Sequence, residues 1–393
     1  MMKMKRIIIK CIHGIWFLII MTFFFLSFPL AFIVYEKKRY WLVSEVDFDA
    51  RDNGIHFFRY LNEKHKEINS IYLISKKNPY YESVKNIGNV IEPLTFKHML
   101  VFIAARAKIS TCVHGCSPNS YVTLYLCKFH STGKNIALKH GIFKNLHPNY
   151  FKKNAHLDLI CCGGKPEFDF INECFGYQNG VAQYTGLARF DNLHNFITDN
   201  EILIMPTWRR WLDPIKSDEE FQQTEFYKKW IGLLKSISTN DFLNDKHIKI
   251  SFFLHPKLNR FYNVIKCSCP NVSFFSSTSG DNVQSRLKSA SLLITDFSSI
   301  YFDFAYMKKP SLYFQFDEDQ YFGKHYIKAY FDYRENGFGP VFTDSSLLIK
   351  DVIRIAKNNF KIDDVYKKRC DDFYVKYDSL NCERIFAEIT KIV

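Results

Sequence analysis

Past its first 36 residues the chain is a string of apolar runs, each four to seven residues long, separated by longer amphipathic stretches. A short run that is apolar throughout suits a strand buried on both faces. Its alternation with helix-period stretches is the pattern of βαβ units in a parallel sheet. Strands are expected at 41–46, 71–75, 108–113, 136–139, 157–162 and 183–186, and in a second series at 202–205, 248–254, 272–275, 292–295 and 311–314. Helices are expected at 55–64, 96–107, 221–236, 283–290, 300–307 and 345–358, and from about 366 to 390. Two such series in 393 residues imply an α/β protein of two Rossmann-like halves, joined in the polar stretch 195–200. Ligands of open parallel sheets bind outside the carboxyl ends of the strands, so residues that directly follow strands carry most weight.

The first 36 residues are a different kind of sequence. Lys3, Lys5, Arg6 and Lys10 precede an uncharged run over 15–34, which Glu36, Lys37, Lys38 and Arg39 follow. Twenty residues at ~1.5 Å rise match the ~30 Å hydrocarbon core of a bilayer. The exit of the run lacks the small residues of a signal-peptidase site, so residues 1–36 are expected to be a membrane anchor. Positive charge on both flanks leaves its orientation open, and Pro29 would allow an interfacial or re-entrant insertion in place of a span. The competing reading is an aromatic-rich helix packed on the protein.

Charge and cysteine usage narrow the partners. Fifty-three Lys and Arg against 40 Asp and Glu leave +13, which favours anionic partners. Residues 1–36 hold +3 of that, which leaves +10 for the two halves. The basic residues form no arm or stripe interleaved with aromatics, so no nucleic-acid partner is expected. Eleven scattered cysteines lack zinc-site spacing and read as free thiols of a reducing compartment.

Four segments could carry chemistry. Lys139-His140-Gly141 closes a strand and would present an imidazole able to take a proton from a hydroxyl, with Gly141 allowing a tight turn behind it. Val113-His114-Gly115 has the same form, which makes His114 the next candidate. Pro206-Thr207-Trp208-Arg209 follows the first strand of the second half, and Arg209 offers a fork of donors suited to phosphate. Leu254-His255-Pro256 brings a second imidazole to a strand end. The fourth is the apolar run ending in Asp296-Phe297-Ser298-Ser299 at the start of a helix. Either serine could cap that helix and leave N–H groups for an anion, though capping alone would explain both. Asp303 falls on the adjacent turn, where a purely amphipathic helix would bury an apolar residue. Asp47-Phe48-Asp49 has the D-x-D form of metal-dependent sugar transferases but reads as a solvated loop. Phosphate-loop, dinucleotide, zinc-protease and nucleophile-elbow motifs are absent.

Taken in order, Ala50-Arg51-Asp52-Asn53-Gly54, Lys139-His140-Gly141, 185–191 (TGLARFD), Pro206-Thr207-Trp208-Arg209, Leu254-His255-Pro256, 293–299 (LITDFSS) with Phe302-Asp303, and Phe338-Gly339-Pro340-Val341 resemble the CDP-glycerol glycerophosphotransferase family, enzymes of teichoic acid and capsule polymer synthesis. The resemblance implies a GT-B architecture, two Rossmann-like domains facing a cleft. An N-terminal acceptor domain would span 37–197. A C-terminal domain over 198–393 would bind the CDP donor, with the last helix free to pack back on the first domain. It implies transfer of glycerol phosphate or a related polyol phosphate from a CDP-activated donor to a polymer or lipid-linked hydroxyl, with release of CMP, at the cytoplasmic face of the membrane. His140 falls on the general-base position and His255 on a second essential histidine. Arg209, Thr207, Asp296, Ser298, Ser299 and Asp303 fall on the donor side, and Gly141, Lys144 and Arg189 on the acceptor side. No cofactor or metal is implied, and no residue pattern indicates a divalent cation. Ile142-Phe143-Lys144 replaces the family's commoner Thr-Pro-Leu-Lys, and Ala188 stands where Pro is frequent, both near the acceptor. A nucleotide-sugar glycosyltransferase is the alternative on the same architecture, and a non-catalytic membrane assembly protein the alternative of another class.

Overall fold

A computed structural model describes residues 2–35, 39–126, 133–269, 271–276, 283–324 and 327–393. Among the described residues thirteen strands form two all-parallel sheets. The first sheet contains β1 (Trp41–Ser44), β2 (Ser70–Leu73), β3 (Asn89–Ile91), β4 (Ala107–Ser110), β5 (Lys134–Ala137), β6 (Leu159–Cys162) and β7 (Ala182–Tyr184), in the order β3-β2-β1-β4-β5-β6-β7. The second contains β8 (Glu201–Met205), β9 (Lys249–Leu254), β10 (Ser273–Ser276), β11 (Leu292–Thr295), β12 (Ser311–Phe314) and β13 (Val341–Phe342), in the order β10-β9-β8-β11-β12-β13. Both are doubly wound, and strand order reverses between β1 and β4 in one sheet and between β8 and β11 in the other. Every residue of β1, β4, β6, β8, β11 and β12 is buried, as expected of strands covered by helices on both faces.

The polypeptide divides into two compact units. Unit 1 comprises Met1–Ile142, His147–Asp191 and Asp378–Val393; unit 2 comprises Phe143–Leu146 and Asn192–Tyr377. The division falls after Asp191, a few residues before the polar stretch, and the last helix belongs to unit 1. The returning helix Asn381–Thr390 is held there by one carboxylate: Asp191 accepts from the backbone N–H of Asn381 and of Cys382, both at 2.8 Å, and from Asn381 Nδ2 at 2.7 Å. Gly186, at φ +80°, makes room for it, because a Cβ there would lie 1.7 Å from Asn381 Oδ1.

Three sequence expectations are corrected. The edge strands β3 and β13 have three and two residues, too few to show periodicity. The expected helix 221–236 is two helices, because Thr224 takes an extended conformation and its hydroxyl accepts the Tyr227 N–H at 3.1 Å as an N-cap. The expected helix 366–390 is likewise two, Asp364–Phe373 and Asn381–Thr390.

The helix Met2–Tyr35 contains a 23-residue stretch, Cys11–Ile33, of mean hydropathy 2.3, long and apolar enough to cross a membrane. One stripe of it, Met21, Phe24 and Ala31, is buried in a cluster with Val101 and Phe102 of the helix Phe96–Ala104 and Val122 of the helix Ser120–Leu126. Trp16, Leu18, Ile19, Leu26 and Ile33 stay exposed. The described cysteines are all unpaired thiols.

Candidate active site

In unit 1 the chain leaves β5 through Lys139, which takes the left-handed conformation (φ +62°), so the turn is made one residue before the His-Gly pair and not by Gly141. The Lys139 ammonium is buried against Glu167, whose second oxygen accepts the Gly163 N–H at 2.7 Å. His140 is thereby thrown out to solvent, its side chain 75% exposed. Its Nδ1 lies 2.5 Å from Oδ2 of Asp52. Asp52 is the N-cap of the helix Asn53–Lys64, reached from β1 through a short turn at Val46–Phe48, and its Oδ1 accepts from Arg189 Nη1 at 2.7 Å. The same Nη1 donates to the His140 carbonyl at 2.9 Å, Asn53 Nδ2 donates to the Lys139 carbonyl at 2.8 Å, and the Arg189 N–H donates to Asn53 Oδ1 at 3.1 Å. Residues 52–53, 139–140 and 189 therefore lock one another.

The electrostatics give this cluster a direction. Burial alone would raise the Asp52 pKa, but the His140 and Arg189 charges outweigh it and hold the carboxyl below its usual range. The Asp52 charge in turn raises the His140 pKa. An ionised carboxylate only accepts, so it keeps a proton on Nδ1 and leaves the exposed Nε2 as the basic nitrogen. Beneath Asp52, Glu45 receives the N–H groups of Arg51 (2.8 Å), Asp52 (3.0 Å) and Ile55 (2.8 Å), and burial with the neighbouring Asp52 charge pushes its pKa up to about 8. Gly54 is needed there, since a Cβ would sit 2.7 Å from Glu45 Cγ.

His114 is not a rival. It is buried, and desolvation pushes its pKa down to about 4. Asp47 is exposed, whereas Asp49 pairs with Arg51 Nε at 2.7 Å. Among the described residues no group of three His, Cys, Asp or Glu side chains could hold a metal ion.

In unit 2 the corresponding positions follow β8, β9 and β11, around the point where strand order reverses. Arg209 corrects its sequence reading. Its side chain is 0% exposed; Nε and Nη2 clamp Asp317 at 2.8 and 2.9 Å, Nη2 also reaches Asp296 at 2.9 Å, and Nη1 donates to the Thr207 carbonyl at 2.6 Å. Phe297 and Tyr321 rings lie 5.0 and 5.1 Å from its guanidinium carbon. A fork so engaged is a structural lock and not an open phosphate receptor. Asp296 is committed too, its Oδ1 accepting the N–H of Thr207 at 2.8 Å and of Phe297 at 2.5 Å. Asp303 is buried in the helix Tyr301–Tyr306. Lys144, expected on the acceptor side, belongs to unit 2: its buried ammonium donates to the Phe297 carbonyl, and burial pushes its pKa down to about 7.

What remains open at these strand ends is smaller and mostly neutral. Ser299 is exposed and Ser298 half-buried, with Oγ accepting the Ile300 N–H at 3.4 Å. Thr207 is half-buried. His255 is half-buried, and its Nδ1 accepts the Lys257 N–H at 3.3 Å, so the neutral ring carries its proton on Nε2. Burial, with Lys257 adding to it, lowers the His255 pKa. Trp208 stacks on that imidazole at 6.2 Å and carries the Lys257 ammonium 3.6 Å from its ring centre. Sequence reasoning singled out His140 and His255 but missed Asp52 as the partner of His140, although Asp52 stands within one of the quoted segments. It also missed Asp317, which no strand-end rule singles out.

Residues 25–391 match the family described as CDP-Glycerol:Poly(glycerophosphate) glycerophosphotransferase. The chain is 28% identical over 374 residues to the minor teichoic acid biosynthesis protein GgaB of Bacillus subtilis (strain 168); the match covers 92% of this chain but 41% of GgaB, so the chain spans less than half of that relative. It is 23% identical over 374 residues to the teichoic acid glycerol-phosphate transferase of Staphylococcus aureus (strain NCTC 8325 / PS 47), covering 85% of this chain and 89% of that protein. Among solved structures, the wall teichoic acid polymerase TagF superposes with a TM-score of 0.65 at 16% identity, over 97% of this chain and 96% of that one. A UDP-GlcNAc 2-epimerase from Neisseria meningitidis does so with a TM-score of 0.53 at 10% identity, over 90% and 99%. These likenesses show a GT-B-type fold. With its sequence match over nearly the whole length, the chain belongs to the CDP-glycerol:poly(glycerophosphate) glycerophosphotransferase family.

Proposed function

We propose that the chain transfers a polyol phosphate from a CDP-activated donor to an acceptor hydroxyl in synthesis of a teichoic-acid-like surface polymer, releasing CMP. The observation that carries this reading is the exposed His140 imidazole, its Nδ1 proton held by Asp52 and its Nε2 open to a substrate hydroxyl. The acceptor oxygen attacks the phosphorus that bears the polyol, and its proton passes to His140 Nε2. The bond from that phosphorus to the bridging oxygen breaks, and CMP leaves with the electron pair. His255 offers an Nε2–H donor for the oxygens of the transferring phosphoryl group, where charge develops. The Ser298 and Ser299 side chains supply neutral donors to the donor phosphates, while Arg209 and Asp296 hold the loops that carry them.

The helix Met2–Tyr35 supports attachment to the cytoplasmic membrane through the apolar face it leaves uncovered, with both units on the cytoplasmic side where CDP donors are made. Incubating the purified protein with CDP-glycerol or CDP-ribitol and a polyol-phosphate acceptor tests the reading. Release of CMP with a new phosphodiester supports it. Release of a nucleoside diphosphate with a glycosidic bond, from a nucleotide sugar, would establish the glycosyltransferase alternative in its place.

A further inference from the structure

At the amino-terminal ends of β8, β9, β11 and β12, the opposite pole of the second sheet from His255 and Asp296, unit 2 holds a cavity of about 450 Å³. Four lysines line it, Lys246, Lys308, Lys309 and Lys357, and no carboxylate does. Two of these charges are spent within the fold. Lys309 Nζ donates to the carbonyls of Leu287, Lys288 and Ala290 at 2.7–2.8 Å, and Lys308 pairs with Asp371 at 2.5 Å. Among the described residues Lys246 and Lys357 pair with no carboxylate, and the Lys357 ammonium lies 5.3 Å from the centre of the Phe242 ring in the cavity wall.

Helix ends account for only part of this charge. The helices Asp241–Asp245, Tyr301–Tyr306 and Ser345–Lys357 finish here, and a helix carboxyl end attracts cations with about half a charge at most. Two of the three have five and six residues and contribute less. The residue after each of their C-caps takes the left-handed conformation common at helix ends. His247, Lys308, Asn359 and Phe360 have φ between 51° and 56°, and among the described residues of unit 2 they are the non-glycine residues with positive φ. Lys308, Asn359 and Phe360 keep side chains on the cavity wall.

We infer that this cavity binds a phosphodiester of a polyol-phosphate chain, apart from the strand ends where transfer occurs. The inference rests on the proposed function, whose product is a polyanion. Two uncommitted ammonium groups suit phosphate oxygens, and the asparagine amides of the wall suit polyol hydroxyls.

The test is calorimetric titration of the full chain in detergent micelles with a synthetic glycerol phosphate trimer. The Lys246→Ala/Lys357→Ala double variant is expected to bind it about tenfold more weakly, the loss of at least one charge-assisted hydrogen bond to phosphate, and Lys246→Arg/Lys357→Arg to restore binding. Initial CMP release with a short acceptor should be unchanged in both variants. Equal trimer affinity in wild type and double-alanine variant, or no binding to wild type, would overturn the inference. A wild type that binds the trimer through these lysines yet releases no CMP upholds the site and sinks the transfer reading, so the two fail separately.

Discussion

One carboxylate, that of Asp52, divides its oxygens between His140 Nδ1 at 2.5 Å and Arg189 Nη1 at 2.7 Å, joining residues 88 and 137 positions away into one rigid corner. Replacing His140 by Ala is expected to cut transfer by ~10²–10⁴-fold while CDP binding persists. Turnover near that of wild type would remove His140 from the chemistry.

Asp52→Asn gives a sharper reading, because the pKa of His140 is raised chiefly by the Asp52 charge. The imidazole must be neutral to take a proton, so wild-type activity should rise with pH through a limb above ~6.5, the ordinary histidine value. In Asp52→Asn the limb should move to lower pH, and the plateau should fall because the Nδ1 proton is no longer fixed. His255, whose pKa is lowered, stays neutral across that window. The ion pair also adds stability, fully present below ~6.5 and lost as pH rises through the raised folded value. A limb that does not move would refute the coupling.

Arg209→Ala should destabilise unit 2 by about 3–5 kcal/mol, since it leaves Asp296 and Asp317 as buried charges without their cation. Urea unfolding measures it. An unchanged midpoint with lost donor affinity would return Arg209 to the role of a phosphate ligand.

Ser298→Ala combined with Ser299→Ala should behave oppositely. With little burial to lose, stability should change by less than about 0.5 kcal/mol. Donor affinity should drop by about tenfold, the worth of one or two hydrogen bonds. Isothermal titration with CDP-glycerol separates the two.

Phe24→Asp places a carboxylate in the stripe that the N-terminal helix buries against Val101 and Phe102. It should cost about 3 kcal/mol or more, seen as a lower melting temperature in detergent. No change would mean that the helix is an independent tether and not a wall of unit 1.

Much of this was legible in the residues. Apolar runs located eleven of the thirteen strands, and the strand-end rule led to His140 and His255 because both follow such runs directly. What it could not show is commitment. Arg209 and Ser299 look equally available in a linear reading, yet one is fully enclosed by Asp317 and Asp296 while the other faces solvent. That difference depends on Asp317, 108 residues further along, and pairing at such separation leaves no periodic mark. Nor does a linear reading show that Lys144 sits in unit 2, because four residues, Phe143–Leu146, leave unit 1 and the chain then rejoins it.

The Asp191–Asn381 clasp has a consequence for biosynthesis. Unit 1 takes its earliest strands from the start of the chain and its closing helix from Asp378–Val393, with nearly all of unit 2 translated in between. During synthesis the first unit must wait with Ala188 and Trp41 uncovered where Cys382 and Phe386 will later seat. Unit 2, by contrast, is complete once its own residues clear the ribosome. Unit 2 therefore matures first, and the unit that carries His140 is sealed only once Asp378–Val393 has emerged.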